Sequence, residues 1–181
     1  MKKKIKNSLL ATGFLILFIT CKPTISEKTI DNYISEINFY ENTLKEKTIS
    51  KEDLLKELDS NHKQLIANID PTKKTAFEKD FILHSELENK KTCIIEFAEK
   101  NYTNSILTNA IIESGNLFIK SVTEGKIEEK EANIQWEKLV LDLSNLQQEA
   151  DSIEMILTES KLQIYELHQT ALKKYGMSLK K

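Results

Sequence analysis

Apolar residues in the last third of the chain recur at alternating steps of four and three positions. Read in sevens, they form one seam over more than five heptads, the C-terminal seam: Ala132, Trp136, Leu139, Leu143, Leu146, Ala150, Ile153, Leu157, Ser160, Ile164, Leu167 and Ala171. This spacing is typical of a helix that packs along a coiled-coil-like interface. It predicts a helix over residues 127–174, which would be about 72 Å long if continuous.

Further apolar residues lie off this seam, and a two-stranded coiled coil would not need them. They are Ile134, Val140, Leu141, Ile156, Leu162, Tyr165 and Leu172. Their presence favours an antiparallel bundle in which the long helix packs against two neighbours at a crossing angle of about 20°. The alternative use of so regular a seam is pairing with a second copy, as a homodimer.

Apolar residues at helical spacing also precede this segment. We expect a first helix over residues 25–45, with its core face at Ile30, Tyr33, Ile34, Ile37, Tyr40 and Leu44. Ser50 followed by Asp53 is a variant capping box and opens a second helix, whose core face is Leu54, Leu55, Leu58, Leu65, Ile66 and Ile69. Asp70 can then cap a new helix, in which Pro71 takes the first position.

The third helix is predicted over residues 71–100, with these residues buried: Phe77, Phe81, Leu83, Leu87, Ile94, Phe97 and Ala98. The periodicity is interrupted at residues 101–104, which indicates a break or kink. A fourth apolar face follows at Ile106, Leu107, Ala110, Ile111, Leu117, Phe118 and Val122. Gly125 is the predicted stop for that helix.

The scarcity of turn residues sets the fold class. After residue 20 the chain has three glycines and two prolines, too few for an all-β domain with frequent turns. We therefore predict an all-α fold, an antiparallel bundle of four to five helices with one long C-terminal helix. The expected organisation is a signal peptide at residues 1–20, a lipidated tether at 21–28, the bundle at 29–175 and a tail at 176–181.

The N-terminus has the pattern of a signal peptide. Lys2, Lys3, Lys4 and Lys6 form a positive region, and the uncharged apolar run that follows covers only residues 9–20. Crossing a membrane as a helix takes about 20 residues, so this run is too short for a lasting transmembrane anchor. We therefore expect it to be a targeting segment that is removed.

Residues 17–21 resemble a bacterial lipobox, in which a peptidase cuts before a lipid-modified cysteine. Cys21 is accordingly the predicted lipidation site, and the several acyl chains of a bacterial lipoprotein would anchor it stably. Thr20 departs from the usual Gly, Ala or Ser at that position and fits the looser lipobox of spirochaetes. An ordinary secretory peptide with an incidental cysteine is the alternative.

The charge balance argues against a nucleic-acid partner. Removing residues 1–20 takes away four lysines and no acidic residue, so 22 lysines stand against 28 acidic residues, a net charge of −6. Proteins that bind nucleic acids need clustered positive charge. The chain also has no arginine, the residue that usually holds phosphate or carboxylate through two hydrogen bonds.

No arrangement of residues in the sequence predicts catalysis, a metal site or a cofactor. His62, His84 and His168 are far apart and none belongs to a metal-binding motif, and His168 is interpreted as a partly buried residue beside the seam. Glutamates alternate with lysines as on a solvated helix face. Cys93 lies next to two isoleucines, which favours a small buried side chain over a reactive or dimer-forming thiol. We therefore expect a protein that is not an enzyme.

The lysine-rich start, the loose lipobox ending at Cys21, the absence of arginine and the helical body resemble the surface lipoproteins of Borrelia-type spirochaetes. That resemblance implies lipid attachment to the outer membrane, facing outward, and a binding role towards host molecules. After residue 20, adjacent basic residues form only pairs in an acidic background, at Lys73-Lys74, Lys90-Lys91, Lys173-Lys174 and Lys180-Lys181. A host protein is therefore favoured over a glycosaminoglycan.

Two hypotheses for the function follow. The first is a surface-exposed binding lipoprotein, and the second is a periplasmic structural or assembly lipoprotein with a spacer-like or chaperone-like helical body. The first predicts exposed apolar or aromatic residues at one bundle end or in a groove, because apolar anchors dominate protein-binding sites.

Overall fold

A computed structural model describes residues 25–177, which form helices joined by short turns. The helices are α1 (Glu27–Glu46), α2 (Lys51–Ala67), a 3₁₀ turn (Pro71–Lys73), α3 (Lys74–Glu78), α4 (Phe81–Thr123) and α5 (Glu129–Tyr175). Over this range there is no strand, only an isolated bridge between Ile69 and Gly176. The all-α class and the single long C-terminal helix are confirmed. The predicted signal peptide, Cys21 and most of the tail lie outside the described residues.

The helices form a three-helix cross-section along the whole body. Helices α4 and α5 are an antiparallel hairpin about 64 Å and 70 Å long. Helices α1 and α2 lie end to end along this hairpin, both antiparallel to α4: Tyr33 of α1 contacts Phe118, and Lys51 of α2 pairs with Glu99. The body therefore has a Glu27 end, where α1 starts, and an Asp80 end, where α4 starts.

The predicted helix starts in the first half of the chain are confirmed by their caps. Ser50 Oγ accepts a hydrogen bond from the Asp53 N–H at 3.3 Å and opens α2. Asp70 Oδ1 accepts one from the Thr72 N–H at 2.9 Å and opens the 3₁₀ turn that begins with Pro71. Short polar side chains thus satisfy free amides at both starts.

The break predicted at residues 101–104 is wrong, because α4 runs through them without interruption. Asn101 is buried and fastens the joint between α1 and α2: its Oδ1 accepts from the Ile49 N–H at 2.8 Å, and its Nδ2 donates to the Lys47 carbonyl at 3.1 Å. Asn104, also buried, donates to the Leu146 carbonyl at 3.2 Å. The interrupted periodicity therefore marks buried polar contacts, not a helix end.

The fourth apolar face was predicted in the wrong register. Ile106, Leu107 and Leu117 are about half exposed or more, while Phe118 and Val122 are buried as predicted. The core side of this stretch instead carries small or polar residues, namely Asn104, Thr108 and Gly115, with Ile112. Gly115 allows the close approach of α1, since a Cβ there would lie 2.6 Å from Ile37 Cδ1. Part of the apolar face is left on the surface as a result.

The helix predicted over residues 71–100 is interrupted at Lys79 and Asp80. Asp80 caps a new helix by accepting from the Leu83 N–H at 3.2 Å, so the helix restarts in a different register. Phe81, which was predicted to be buried, is 83% exposed for this reason. Most of the other predicted core residues of this segment are buried: Phe77, Leu83, Leu87, Ile94 and Ala98.

Helix α5 is continuous, and every residue of the C-terminal seam is buried or partly buried. The seam packs against α1, α2 and α4 of the same chain. Of the off-seam residues, Ile134, Leu141, Leu162 and Tyr165 are exposed, contrary to the expectation that neighbours cover them. A three-helix cross-section leaves the outward face of α5 uncovered.

Three aromatic rings fill the core at the Glu27 end. The Tyr33 ring lies 4.2 Å from Trp136 and 5.6 Å from Phe118, measured between ring centroids, and Phe118 stacks on Trp136 at 5.8 Å. The Tyr33 hydroxyl donates to Asn133 Oδ1 at 3.1 Å. These contacts fix the first half of α1 to the hairpin. None of the helices described here combines the length and apolar character needed to cross a membrane.

Candidate functional site

One carboxylate accepts three hydrogen bonds at the Asp80 end. Asp80 Oδ2 accepts from the Tyr175 hydroxyl at 2.7 Å and from the Lys174 ammonium at 2.9 Å, while Oδ1 caps α4. The hydrogen bonds from Lys174, Tyr175 and the Leu83 N–H hold the pKa of Asp80 far below its usual range. The start of α4 is thereby fixed to the end of α5.

The last residues described also fasten α2 to this end. The Asp70 N–H donates to the Tyr175 carbonyl at 2.9 Å, and the Met177 N–H donates to the Asn68 carbonyl at 3.2 Å. Asn68 directly follows α2. Backbone hydrogen bonds therefore join the end of α5 to the residues that follow α2.

Large apolar side chains are exposed at this end. Phe81 is 83% exposed, Ile82 is 75% exposed and Met177 is 55% exposed, and we call these three residues the apolar tip. Other large apolar residues are exposed along the body, but Phe81 and Ile82 are the two most exposed of those described, and they are adjacent in the sequence. The tip is the feature that the surface-binding hypothesis predicts.

Two lysine pairs about a hundred residues apart in the sequence meet beside the tip. Lys73 Nζ lies 3.4 Å from the Lys174 carbonyl oxygen, which brings the 73–74 pair to the 173–174 pair. With Lys79, five lysines lie at this end against three acidic residues, Asp70, Glu78 and Asp80. The Asp80 end is therefore locally basic on an acidic protein.

All three histidines of the chain line one cavity of about 330 Å³ near the Asp80 end, here called the histidine cleft. His62 belongs to α2, His84 to α4 and His168 to α5. The other lining residues are Leu58, Leu87, Glu88, Lys91 and Ile164. The His62 and His168 rings lie 6.3 Å apart between centroids. The three histidines are far apart in the sequence, and the fold brings them to one cavity. His168 is buried beside the seam, where the sequence predicts a partly buried residue.

Burial and neighbouring charges disfavour the charged form of two of these histidines. Burial lowers the pKa of His62 most, Lys91 and His84 lower it further, and Asp59 and Glu88 oppose them. Burial also lowers the pKa of His168, with His62 as the second cause. Both imidazoles are therefore neutral at pH 7.

His84 connects the cleft to the core beneath the tip. Its Nε2 donates to the Phe77 carbonyl at 3.0 Å, and its ring meets the Phe77 ring edge-on at 4.9 Å between centroids. Phe77 in turn contacts Tyr175 at 5.7 Å, the residue that donates to Asp80. A continuous series of contacts thus joins the cleft to Asp80, the residue before Phe81 of the tip.

A second cavity, of about 290 Å³, lies on the other flank of α2, and we call it the amide groove. It shares Leu58, Ile164 and His168 with the histidine cleft, and its polar walls are Asn61, Gln64, Asn68 and Gln169. Lys161 Nζ pairs with Glu57 across it at 2.6 Å. Helix α2 therefore packs on its apolar side with open space on both flanks.

These residues do not assemble a metal centre. Within residues 25–177 no three His, Cys, Asp or Glu side chains are placed to hold one ion. Cys93 is partly buried, with its Sγ 3.6 Å from Ser160 Oγ on the seam, which supports the packing interpretation of this thiol. The chemistry that remains for the cleft is protonation of its imidazole side chains.

Sequence reasoning missed the histidine cleft and the basic end, because their residues come from three helices. One signal was available in the alignment of the hairpin. If α4 is aligned antiparallel to the C-terminal seam, His84 lies opposite His168. No protein-family model, curated protein or solved structure matches the chain. The functional assignment therefore depends on the chain's own residues.

Proposed function

We propose that this chain is a bacterial lipoprotein, anchored through lipid on Cys21, whose helical body binds a host protein at the cell surface without catalysing a reaction. The N-terminal pattern of lysines, short apolar run and cysteine supports the anchor. The observation that carries the binding role is the apolar tip, where Phe81 and Ile82 are exposed together at one end of the body.

The position of the tip suits this role. Helix α1 begins at Glu27, six residues after Cys21, so a lipid on that cysteine would hold the Glu27 end close to the membrane. The length of α4 would then place the Asp80 end about 64 Å farther out. The apolar tip would be the part of the protein farthest from the cell.

The chemistry of the tip favours a particular kind of partner. Five lysines lie at the same end of the body as Phe81 and Ile82, so an acidic protein surface with an apolar pocket or groove would complement this end in charge and in polarity. Exposed apolar side chains contribute little to binding a sulphated sugar. A protein partner is therefore preferred over a glycosaminoglycan.

The anchor is tested by the mass of the native protein. The mature chain should begin at Cys21 and carry acyl groups. A native protein that retains Met1 and has no fatty acid would refute the lipoprotein assignment.

The binding role is tested with the full chain displayed on its own cells. We expect host proteins captured by these cells to be lost with the double variant Phe81→Ser/Ile82→Ser. The control is Tyr102→Ser/Ile106→Ser, an aromatic and aliphatic pair in the middle of α4 that is 63% and 51% exposed, and it should retain the partner. Equal capture by both variants would exclude the tip as the binding site.

The rod-like body also fits the alternative of a periplasmic spacer or assembly lipoprotein. Two uninterrupted helices of 43 and 47 residues would hold two envelope components about 64–70 Å apart. Protease added to intact cells distinguishes the two roles, because it would digest a surface protein and spare a periplasmic one.

A further inference from the structure

We infer that the histidine cleft makes the attachment of α2 to the hairpin sensitive to pH, so that mild acid releases α2 and alters the proposed partner site at the Asp80 end. The meaning of this switch for binding rests on the proposed function. The release of α2 itself does not, since it is a property of the fold.

The cleft collects titratable groups from every helix packed around it. Helix α2 contributes His62 and Asp59, α4 contributes His84, Glu88 and Lys91, and α5 contributes His168. Lys91 Nζ lies 3.6 Å from Asp59 Oδ1, so one carboxylate already has a cationic partner. Glu88 is the one carboxylate among the residues that line the cavity, and Asp59 lies outside that lining.

Protonation would place positive charges where they cannot be well solvated. With neutral histidines, one ammonium faces two carboxylates. With His62 and His168 charged, two imidazolium rings 6.3 Å apart share a cavity with Lys91, against apolar walls formed by Leu58 and Ile164. Like charges at this distance repel, and burial weakens the screening by water.

Helix α2 is the element that can respond. It carries His62, while the other two histidines lie on the long helices of the hairpin. It has cavities on both flanks, and it ends at Asn68, whose carbonyl accepts from the Met177 N–H. Moving α2 outward would separate His62 from His168 and hydrate both, and it would free Met177 of the apolar tip.

Helix α1 provides an internal control, because it lies on the same hairpin without a histidine. Its buried residues Tyr33, Ile37 and Leu44 pack against aromatic and aliphatic side chains. Any general effect of acid on the bundle would reach both helices. An effect of the cleft would reach α2 alone.

The test is hydrogen exchange of the full chain at pH 7.5 and pH 5.5, with each rate corrected for its intrinsic pH dependence. We expect the amides of α2 to exchange at least about tenfold faster at the lower pH, with those of α1 unchanged. Equal protection of α2 at both pH values, or an equal loss in α1 and α2, would overturn the inference. This measurement needs no partner, so its failure is distinct from failure of the binding proposal.

Variants show whether the histidines are responsible. His62→Gln/His168→Gln cannot gain these charges and should keep α2 protected at pH 5.5. Lys63→Gln is the matched control, since it removes an exposed charge next to His62, and it should keep the wild-type response. A full pH response in the histidine double variant would contradict the inference. If that variant does not fold, titration of the wild-type imidazole protons by NMR decides, because ordinary pKa values for both histidines would also overturn it.

Discussion

Helices α1 and α2 lie end to end along one hairpin, yet they are attached to it in different ways. Helix α1 packs through aromatic rings and through Ile37, which approaches the backbone at Gly115. Helix α2 packs through a row of leucines with a cavity on each side, and one of these holds the three histidines. The difference teaches that α1 is attached by close contacts along its buried face, while α2 leaves open space and titratable groups on its flanks.

The largest expected effect comes from removing a core leucine in the Glu27 half. Leu143 has no exposed surface, and Leu143→Ala should lower the free energy of unfolding by about 4 kcal/mol, because the dense surroundings cannot close the cavity. Leu58 borders both cavities of the Asp80 half, and Leu58→Ala should cost only about 2 kcal/mol, because fewer atoms contact it. Urea unfolding of both variants measures the difference.

The two leucine variants can contradict the proposed difference in packing between α1 and α2. Equal costs would mean that the cavities flanking α2 do not weaken its packing. A larger cost for Leu58→Ala would mean that α2 is packed more tightly than α1.

The second effect concerns the joint between α1 and α2. Asn101→Ala leaves the Ile49 N–H and the Lys47 carbonyl without their buried partner, and it should cost about 2 kcal/mol in urea unfolding. Asn109→Ala, an exposed change of the same kind on the same helix, is the control and should be nearly neutral. An unchanged free energy of unfolding in Asn101→Ala would show that water can replace the amide as the hydrogen-bond partner of these two backbone groups.

Much of the fold was accessible from the sequence because local signals and long-range packing agree. The heptads of the C-terminal seam predict α5, and the Ser50 and Asp70 caps are where the sequence places them. The errors lie where the two disagree. Asn101 sits on the core side because a loop from elsewhere needs its amide, and nothing near Asn101 in the sequence reveals that loop.

The candidate site was less predictable for the same reason. Phe81 is preceded by Lys79 and Asp80, which read equally well as a solvated helix face or as a stop followed by a cap. Predicting the histidine cleft requires knowing how three helices are aligned along their axes. The apolar period of one sequence predicts the buried face of each helix, but it does not predict which residues of two helices lie opposite each other. A pattern of apolar spacing therefore predicts elements better than it predicts the side chains they bring together.

A third, smaller effect is the dependence of stability on pH. The folded-state pKa values of His62 and His168 lie below the unfolded value near 6.5, so the unfolded chain binds more protons below that pH. The contribution of these neutral histidines is fully present above pH 6.5 and is lost as the pH falls towards their folded-state values. We expect the urea midpoint to fall between pH 7.5 and pH 5.5, and to fall less in His62→Gln/His168→Gln. An identical fall in the double variant would assign the effect to other groups.

The smallest expected effect is that of the ion pair across the amide groove. Glu57 and Lys161 join α2 to α5 with 2.6 Å between their charged atoms, but both side chains are substantially exposed. A double-mutant cycle of Glu57→Gln and Lys161→Met should give a coupling of about 0.5 kcal/mol or less, weakened further by added salt. A coupling several times larger would mean that charge fastens α2 strongly from its other flank. Acid would then have to overcome this pair before the histidines could release the helix, and the contrast between the attachments of α1 and α2 would narrow.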